Sequence, residues 1–169
     1  DRDALDSLAS RAIEIVNQYE GKELFLDKTL NDSEIAEGVE LAQRYDAFVR
    51  GQAALGEVSF AIPLPGAGFL QACQADMAVG TYLVEVKTVK RALAGKDIRQ
   101  LIVYLTLGAA AGGNSWTHAG FLNPRQSTFH KYPTADLIST ISGGRSFVDV
   151  FSDLVDFVCS SDVQIDTVF

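Results

Sequence analysis

Two apolar segments, residues 69–78 and 81–89, are separated by the dipeptide Val79-Gly80. Short apolar runs on either side of a glycine predict two strands joined by a tight turn. The next strong pattern is helical and covers residues 97–110. A hairpin followed by a helix is typical of a domain that packs helices on a sheet.

The remaining patterns place further elements around this hairpin. Helical spacing of apolar residues predicts helices over 3–19, 34–50 and 147–158. Strand patterns cover 57–62, 116–122 and 128–132. No linker divides the chain, and the order αα-β-ββ-α-β(β)-α predicts a single mixed α/β (α+β) domain over 1–169, with a central sheet flanked by helices.

The charge of the chain is unevenly distributed. Acids outnumber bases 22 to 14 over 169 residues, a formal net charge of −8, which argues against a protein that coats nucleic acid with its whole surface. Residues 71–131, however, hold 3 acids and 7 bases. A solvated connection or a local anion-binding patch would explain five bases within thirteen positions. They are Lys87, Lys90, Arg91, Lys96 and Arg99.

Membrane insertion and disulfide chemistry have no support in the sequence. The longest apolar stretches, such as 101–111, are far shorter than the roughly 20 residues that cross a bilayer. Cys73 and Cys159 are the only cysteines and form no CxxC motif, so we expect a reducing, cytoplasmic environment. Because the chain begins at Asp1, we expect it to be part of a longer protein.

Asp76 and the tripeptide Glu85-Val86-Lys87 are the candidate chemical groups of the hairpin. Side chains alternate along a strand, so Glu85 and Lys87 point to the same face. Converging carboxylates repel each other unless a cation lies between them. Hard oxygen ligands of this kind suit Mg²⁺, and an adjacent ammonium suits phosphoryl oxygens, so the set predicts metal-assisted phosphodiester hydrolysis.

The position of Asp76 depends on the register of the hairpin. With Val79-Gly80 as the turn, Asp76 pairs with Leu83, shares the face of Glu85 and lies diagonal to it. A turn with one more residue would move Asp76 to the opposite face.

The helix that follows adds two polar residues to this set. Gln100 and Tyr104 are four positions apart and share one helix face. Asp97 is suited to cap the start of the helix. Gln100 can reach back over the hairpin toward Glu85 and Lys87.

This combination resembles the PD-(D/E)XK nuclease superfamily, which has the restriction-endonuclease-like fold. The resemblance covers about 33–132 and leaves the terminal helices as flanking elements. It implies that Asp76, Glu85 and the Val86 carbonyl ligate Mg²⁺, with Mn²⁺ able to substitute, and that Lys87 positions the attacking water. Gln100 and Tyr104 match the QxxxY element of the RecB-like branch.

The chain departs from the pattern of that superfamily at two points. Ala75 stands where a proline often precedes the first acid. Many members also contribute an acid from the helix ahead of the sheet, and Glu34, Glu37 and Glu40 are all candidates here. On a helical wheel, Glu34 lies within the apolar sector, Glu37 at its edge and Glu40 outside it, which favours Glu34 as a metal ligand.

The resemblance predicts a Mg²⁺-dependent endo- or exodeoxyribonuclease whose basic segment flanks the scissile phosphate, with four bases that contact substrate: Lys90, Arg91, Lys96 and Arg99. RNA is an alternative substrate. The rival hypothesis is a catalytically silent nuclease-fold scaffold or oligomerisation module in a DNA-processing or antiviral defence complex. Expected partners are DNA, a larger polypeptide or subunit that delivers it, and a second copy of the chain, but no membrane.

Overall fold

Five strands form one mixed sheet in the computed structural model, which describes residues 2–20, 30–112 and 116–160. The strands lie side by side in chain order: β1 (Val58–Leu64), β2 (Cys73–Val79), β3 (Tyr82–Val86), β4 (His118–Asn123) and β5 (Thr128–Pro133). β3 and β4 are parallel, whereas all other neighbours are antiparallel. The predicted mixed α+β class is confirmed.

The chain divides into two compact units, Asp1–Ala47 and Phe48–Phe169, called unit 1 and unit 2 below. Unit 1 contains α1 (Arg2–Glu20) and most of α2 (Asp32–Gln52). Unit 2 contains the whole sheet, a short 3₁₀ turn (Ala53–Leu55), and the helices α3 (Gly95–Ala110), α4 (Thr134–Ile141) and α5 (Phe147–Cys159). The hairpin and the helix after it therefore belong to the same unit.

α2 begins with a side-chain cap from Asn31. The N–H of Glu34 donates to Asn31 Oδ1 at 3.0 Å, and the N–H of Asn31 donates to Glu34 Oε2 at 2.8 Å. This reciprocal pair is a capping box, which satisfies backbone donors that a helix start leaves open. The helices predicted over 3–19 and 34–50 are confirmed, and each extends by one or two residues at both ends.

The hairpin of β2 and β3 turns one residue later than the sequence predicts. Val79 pairs with Tyr82, so the turn is Gly80-Thr81 and not Val79-Gly80. Gly80 has a φ of +54°, a left-handed conformation that glycine adopts at little cost. Val79 instead lies in β2 with its side chain buried, because a branched side chain is strained in left-handed backbone.

This later turn also shifts the predicted partner of Asp76. Met77 pairs with Val84, and Ala78 pairs with Leu83. Continuing this register places Asp76 opposite Glu85, whereas the sequence predicted Asp76 opposite Leu83. A shift of two residues keeps every side chain on its predicted face. The carboxylates of Asp76 and Glu85 are therefore still close together, as the sequence predicts.

The observed strands of the hairpin are shorter than the predicted 69–78 and 81–89. β2 begins at Cys73, opposite the last residue of β1, and β3 ends at Val86, opposite Leu122. A segment belongs to a sheet only where a neighbouring strand supplies hydrogen-bond partners. The length of each strand is therefore decided by its neighbours.

β1 continues through Pro63, where the sequence predicted a strand over 57–62 to end. Pro63 lies opposite Gln74, and the pairing extends to Leu64. β1 is an edge strand of the sheet. An edge strand tolerates proline because a missing N–H on its outer side removes no ladder bond.

The core of unit 2 lies between the sheet and α3. Leu101 and Leu105 of α3 are buried against Leu83 of β3 and against Ala119 and Phe121 of β4. Burial of each leucine contributes roughly 1.5–3 kcal/mol relative to exposure. This packing fixes α3 over the strands that carry the candidate site, and the helix predicted over 97–110 is confirmed.

Sequence reasoning missed α4, which follows β5 directly. The helix has 8 residues and buries Leu137 and Ile138. Thr134 lies at its start and donates its hydroxyl to the Trp116 carbonyl at 2.9 Å. Two turns of helix offer too few apolar positions for a period of 3.6 to be recognised.

α5 confirms the helix predicted over 147–158. Ser146 and Asp149 form a capping box at its start, with both bonds at 3.2 Å. The strands predicted over 116–122 and 128–132 correspond to β4 and β5, which pair with each other. None of the described helices is both long and apolar enough to span a lipid bilayer.

Candidate active site

Lys87 follows β3 directly and is the centre of a hydrogen-bond chain. Its Nζ donates to Glu85 Oε1 at 2.8 Å and to Gln100 Oε1 at 2.7 Å. Gln100 Nε2 in turn donates to the Tyr104 hydroxyl oxygen at 2.8 Å. The sequence places these four side chains at the end of one strand and on one helix face. In the structure they form a continuous chain of hydrogen bonds in the order Glu85, Lys87, Gln100, Tyr104.

The Gln100 amide has a defined role in this chain. Its oxygen accepts from Lys87 and its nitrogen donates to Tyr104, so both polar atoms of the amide are used. The residue after Gln100 is Leu101, whose side chain is fully buried in the core. The packing of α3 thus fixes the amide, and the amide fixes the ammonium.

Glu85 is a buried carboxylate with one unsatisfied oxygen. The residue is only 2% exposed. Its Oε2 has no hydrogen-bond partner among the described residues, although Oε1 accepts from Lys87. Burial raises the pKa of Glu85 to about 7, the charge of Asp76 adds to this, and the Lys87 hydrogen bond opposes it. The site therefore holds a carboxylate whose negative charge the protein alone does not fully compensate.

Asp76 lies beside Glu85 at the end of the hairpin. Its side chain is exposed, and Oδ2 accepts the backbone N–H of Val86 at 2.7 Å. In an extended strand the N–H and C=O of one residue point to the same side, so the Val86 carbonyl also faces β2. Two carboxylates and one carbonyl are thus gathered where β2 and β3 end their pairing.

Two neighbouring groups respond to these charges. Burial raises the pKa of the Tyr104 hydroxyl, and the charges of Glu85 and Asp76 add to the shift. Burial and the charge of Glu85 also raise the pKa of the Cys73 thiol. Cys73 therefore lies close to the site. Nothing in the sequence indicated this, because Cys73 belongs to no recognisable motif.

The donor set fits a hard divalent cation. No group of three or more His, Cys, Asp or Glu side chains converges within the described ranges. Mg²⁺, however, is usually held by one or two carboxylates and keeps several waters or substrate phosphates. The unsatisfied Glu85 oxygen, the adjacent Asp76 carboxylate and the Val86 carbonyl are oxygen ligands of this kind. The residues present fit Mg²⁺.

The three candidate helix acids all lie in unit 1. The Glu34 carboxylate accepts the Asn31 N–H and so stabilises the start of its own helix. Glu40 forms an ion pair with Arg44 one turn later, and Glu37 is exposed. The assignment of Glu34, or of either alternative, as a metal ligand stays a prediction.

The four bases predicted to contact substrate differ in their surroundings. Arg91 donates to both carboxylate oxygens of Asp97, at 2.6 and 2.9 Å, and to the Ala92 carbonyl at 2.9 Å. Asp97 also accepts the Ala94 N–H at 2.7 Å, and so caps α3 as the sequence indicates. The Arg91 guanidinium holds the pKa of Asp97 far below its usual range. All four bases are nevertheless exposed: Lys90, Arg91, Lys96 and Arg99.

Asn123 and Gln126 hold the loop 87–94 in place. The sequence did not predict this role for either residue. Asn123 Nδ2 donates to the Val89 carbonyl at 2.7 Å, and Gln126 Nε2 donates to the Lys90 carbonyl at 2.9 Å. Asn123 is 6% exposed. A polar side chain at the end of an apolar strand was the only available signal, because the partners are backbone atoms more than thirty residues earlier.

Comparison of the chain with protein-family models, with curated proteins and with solved structures gives no match. The assignment of a function therefore depends on the arrangement of the side chains in unit 2.

Proposed function

We propose that unit 2 is a Mg²⁺-dependent nuclease domain of the PD-(D/E)XK type that hydrolyses phosphodiester bonds in DNA. The observation that carries this proposal is the buried Glu85 carboxylate, which has one oxygen bonded to Lys87 and the other without a partner. Leaving a buried charged oxygen unpaired costs stability. Such a cost is common at functional sites, where a ligand supplies the missing interaction.

Three groups would hold the metal ion in this proposal: the carboxylates of Asp76 and Glu85 and the carbonyl of Val86. When bound, Mg²⁺ supplies positive charge to the phosphoryl oxygens and lowers the pKa of a coordinated water. The protein contributes fixed positions for its ligands. Asp76 is held by the Val86 N–H, and Glu85 is held by burial and by Lys87.

Lys87 has the second role in the proposed reaction. Its ammonium carries a positive charge next to the proposed ligands and offers a donor to the attacking water or to a phosphoryl oxygen. Gln100 and Tyr104 act as positioning residues, because Gln100 fixes the ammonium and Tyr104 fixes the amide. Preorganised donors of this kind need no reorientation as charge develops on the phosphoryl group.

The charge distribution supports a nucleic-acid substrate that is bound weakly by this chain alone. Residues 71–131 carry 3 acids and 7 bases within a chain of net charge −8. The exposed bases Lys90, Lys96 and Arg99 flank the site in sequence and offer contacts to phosphates. Because such contacts are salt-dependent, we expect a partner subunit or a further stretch of chain to deliver the DNA.

The direct test of this function is cleavage of end-labelled nucleic acid. The chain is incubated with duplex DNA, single-stranded DNA and RNA at low salt, with Mg²⁺ or with EDTA. We expect cleavage of DNA with Mg²⁺ and none with EDTA, read as shortened products on a denaturing gel. Cleavage that persists in EDTA, or no cleavage of any substrate, contradicts the proposal.

Metal binding is expected to depend on pH through Glu85. A carboxylate must be ionised to ligate a cation, and the pKa of Glu85 is raised to about 7. The affinity for Mg²⁺, measured by calorimetric titration, should therefore be about tenfold higher at pH 8 than at pH 6. Asp76→Asn should lose most of the binding at both pH values, whereas Glu57→Gln, at an exposed acid of unit 2, should retain it. Binding that is independent of Asp76 would instead favour the scaffold hypothesis.

A further inference from the structure

A cleft of about 320 Å³ lies beside the candidate site, between loop 87–94 and the strands β4 and β5. Its volume is at the lower end of the range for sites that bind small organic groups. The residues that define its character are Arg91, Leu93, Phe121, Asn123, His130 and Tyr132. Neither aspartate nor glutamate is present among the described residues that line it, although the chain is acidic.

The strand register places this cleft next to Glu85. Phe121 of β4 pairs with Glu85 of β3, and His130 of β5 pairs with Phe121. These three residues therefore form one row across the sheet. At about 4.8 Å between strands, the backbone of His130 lies about 10 Å from that of Glu85. A ligand in the cleft would be within a nucleotide or two of a phosphate at the candidate site.

The rim of the cleft is fixed by hydrogen bonds. Asn123 and Gln126 donate their amides to the carbonyls of Val89 and Lys90 in loop 87–94. Arg91 is tied to Asp97 at the start of α3, while 41% of its side chain stays exposed. The cleft is therefore preformed, which reduces the entropy that a ligand must overcome on binding.

The lining of the cleft is suited to a flat ring. Phe121 is buried at its floor, whereas His130 and Tyr132 are exposed, and Tyr132 is 43% exposed. His130 and Tyr132 are two positions apart on β5 and so share a face. Exposed aromatic rings beside a basic segment are the arrangement on which unpaired bases stack.

We propose that this cleft binds an unpaired nucleobase of the strand whose phosphate lies at the candidate site, with Tyr132 as a stacking platform. The inference rests on the proposed nuclease function and adds a substrate class to it, a single-stranded or locally opened strand. A base within a duplex cannot enter, because both of its faces are stacked and its edge is paired.

Binding without cleavage tests this proposal. The anisotropy of labelled oligothymidylate, oligouridylate and a blunt DNA duplex is measured with the full chain at low salt in EDTA. Tyr132→Ala should weaken binding of the single strands about tenfold or more, because stacking on one aromatic ring is lost. Tyr132→Phe, which keeps the ring, should bind as the wild type does. Phe60→Ala, which removes an exposed ring from the edge strand β1, should have no effect.

Wild-type binding of the duplex should be weaker than that of the single strands and insensitive to Tyr132→Ala. Unchanged single-strand binding by Tyr132→Ala, equal losses with Phe60→Ala, or no wild-type binding would overturn the proposal. The two proposals fail separately. Cleavage with Mg²⁺ but no dependence on Tyr132 contradicts only the base-binding cleft, whereas Tyr132-dependent binding without cleavage contradicts only the nuclease.

Discussion

Replacing Glu85 with Gln is expected to lower Mg²⁺-dependent cleavage about 10³-fold or more. The amide keeps the size of the side chain and an oxygen for Lys87, but it loses the charge that a metal ligand needs. Lys87→Ala should cause a loss of similar size, because it removes the donor and leaves Glu85 without its partner. Initial rates on the end-labelled substrate measure both effects.

The stability of Glu85→Gln separates loss of chemistry from loss of fold. The pKa of Glu85 is raised in the folded chain to about 7, from about 4.3 when unfolded. Its ionised form therefore destabilises the metal-free fold, and this effect grows as the pH rises from about 4.3 to 7. The Gln variant should consequently melt at a higher temperature than the wild type at pH 8 in EDTA, while being inactive.

Glu57→Gln, at an exposed acid of the same unit, is the matched control and should retain full cleavage. A Glu85→Gln protein that cleaves at the wild-type rate contradicts the site assignment. An inactive variant that melts well below the wild type would instead assign a structural role to Glu85.

Asp97→Asn is expected to lower the free energy of unfolding by about 2–3 kcal/mol at pH 7. The substitution weakens the bidentate ion pair with Arg91. It also weakens the hydrogen bond that Asp97 accepts from the Ala94 N–H at the start of α3. Loss of a helix cap costs about 1 kcal/mol, and a hydrogen bond to a charged group contributes about 1.5–3 kcal/mol. Urea denaturation followed by circular dichroism measures the difference.

The effect of Asp97→Asn should depend on pH in a defined direction. The pKa of Asp97 is lowered in the folded chain, so its stabilisation is complete above the unfolded value of about 3.9 and is lost as the pH falls below it. The difference between variant and wild type should therefore shrink below about pH 4. Asp153→Asn, which breaks the exposed pair with Arg145, is the control and should cost at most about 1 kcal/mol. Equal costs for the two variants would refute the assigned role of Asp97.

The face of the hairpin could be predicted from the sequence even though the turn was wrong. Alternation puts Glu85 and Lys87 on one side of a strand whatever their partners are. The error in the turn shifted the register by two residues, which changed the partner of Asp76 but not its face. A shift of one residue would have removed Asp76 from the site.

The helix contribution could be predicted only in part. The period of 3.6 places Gln100 and Tyr104 on one face, and their hydrogen bond follows from that local spacing. The hydrogen bond from Lys87 to Gln100 depends on the position of α3 over β3, which is set by the packing of Leu101 and Leu105 in the core. Sequence spacing gives no distance between a strand end and a helix that is folded back on it.

The surroundings of the bases in the segment 87–99 were the feature of the site that the sequence predicted least well. Five bases within thirteen positions fitted either a solvated connection or a local anion-binding patch. In the structure Lys90, Arg91, Lys96 and Arg99 are all exposed, and Arg91 is in addition bonded to Asp97. The conformation of loop 87–94 places Arg91 next to Asp97. That conformation is held by Asn123 and Gln126, which lie beyond the next strand.

By itself, the sequence determined the fold class, the faces of the strands and helices, and the identity of the residues with chemical groups, because these follow from local periodicity and residue type. Only the tertiary structure decided which of these groups meet. The buried Glu85 oxygen, its bonded Lys87 and the cleft lined by Tyr132 all depend on contacts between segments far apart in the chain, and such contacts are set by packing and strand pairing.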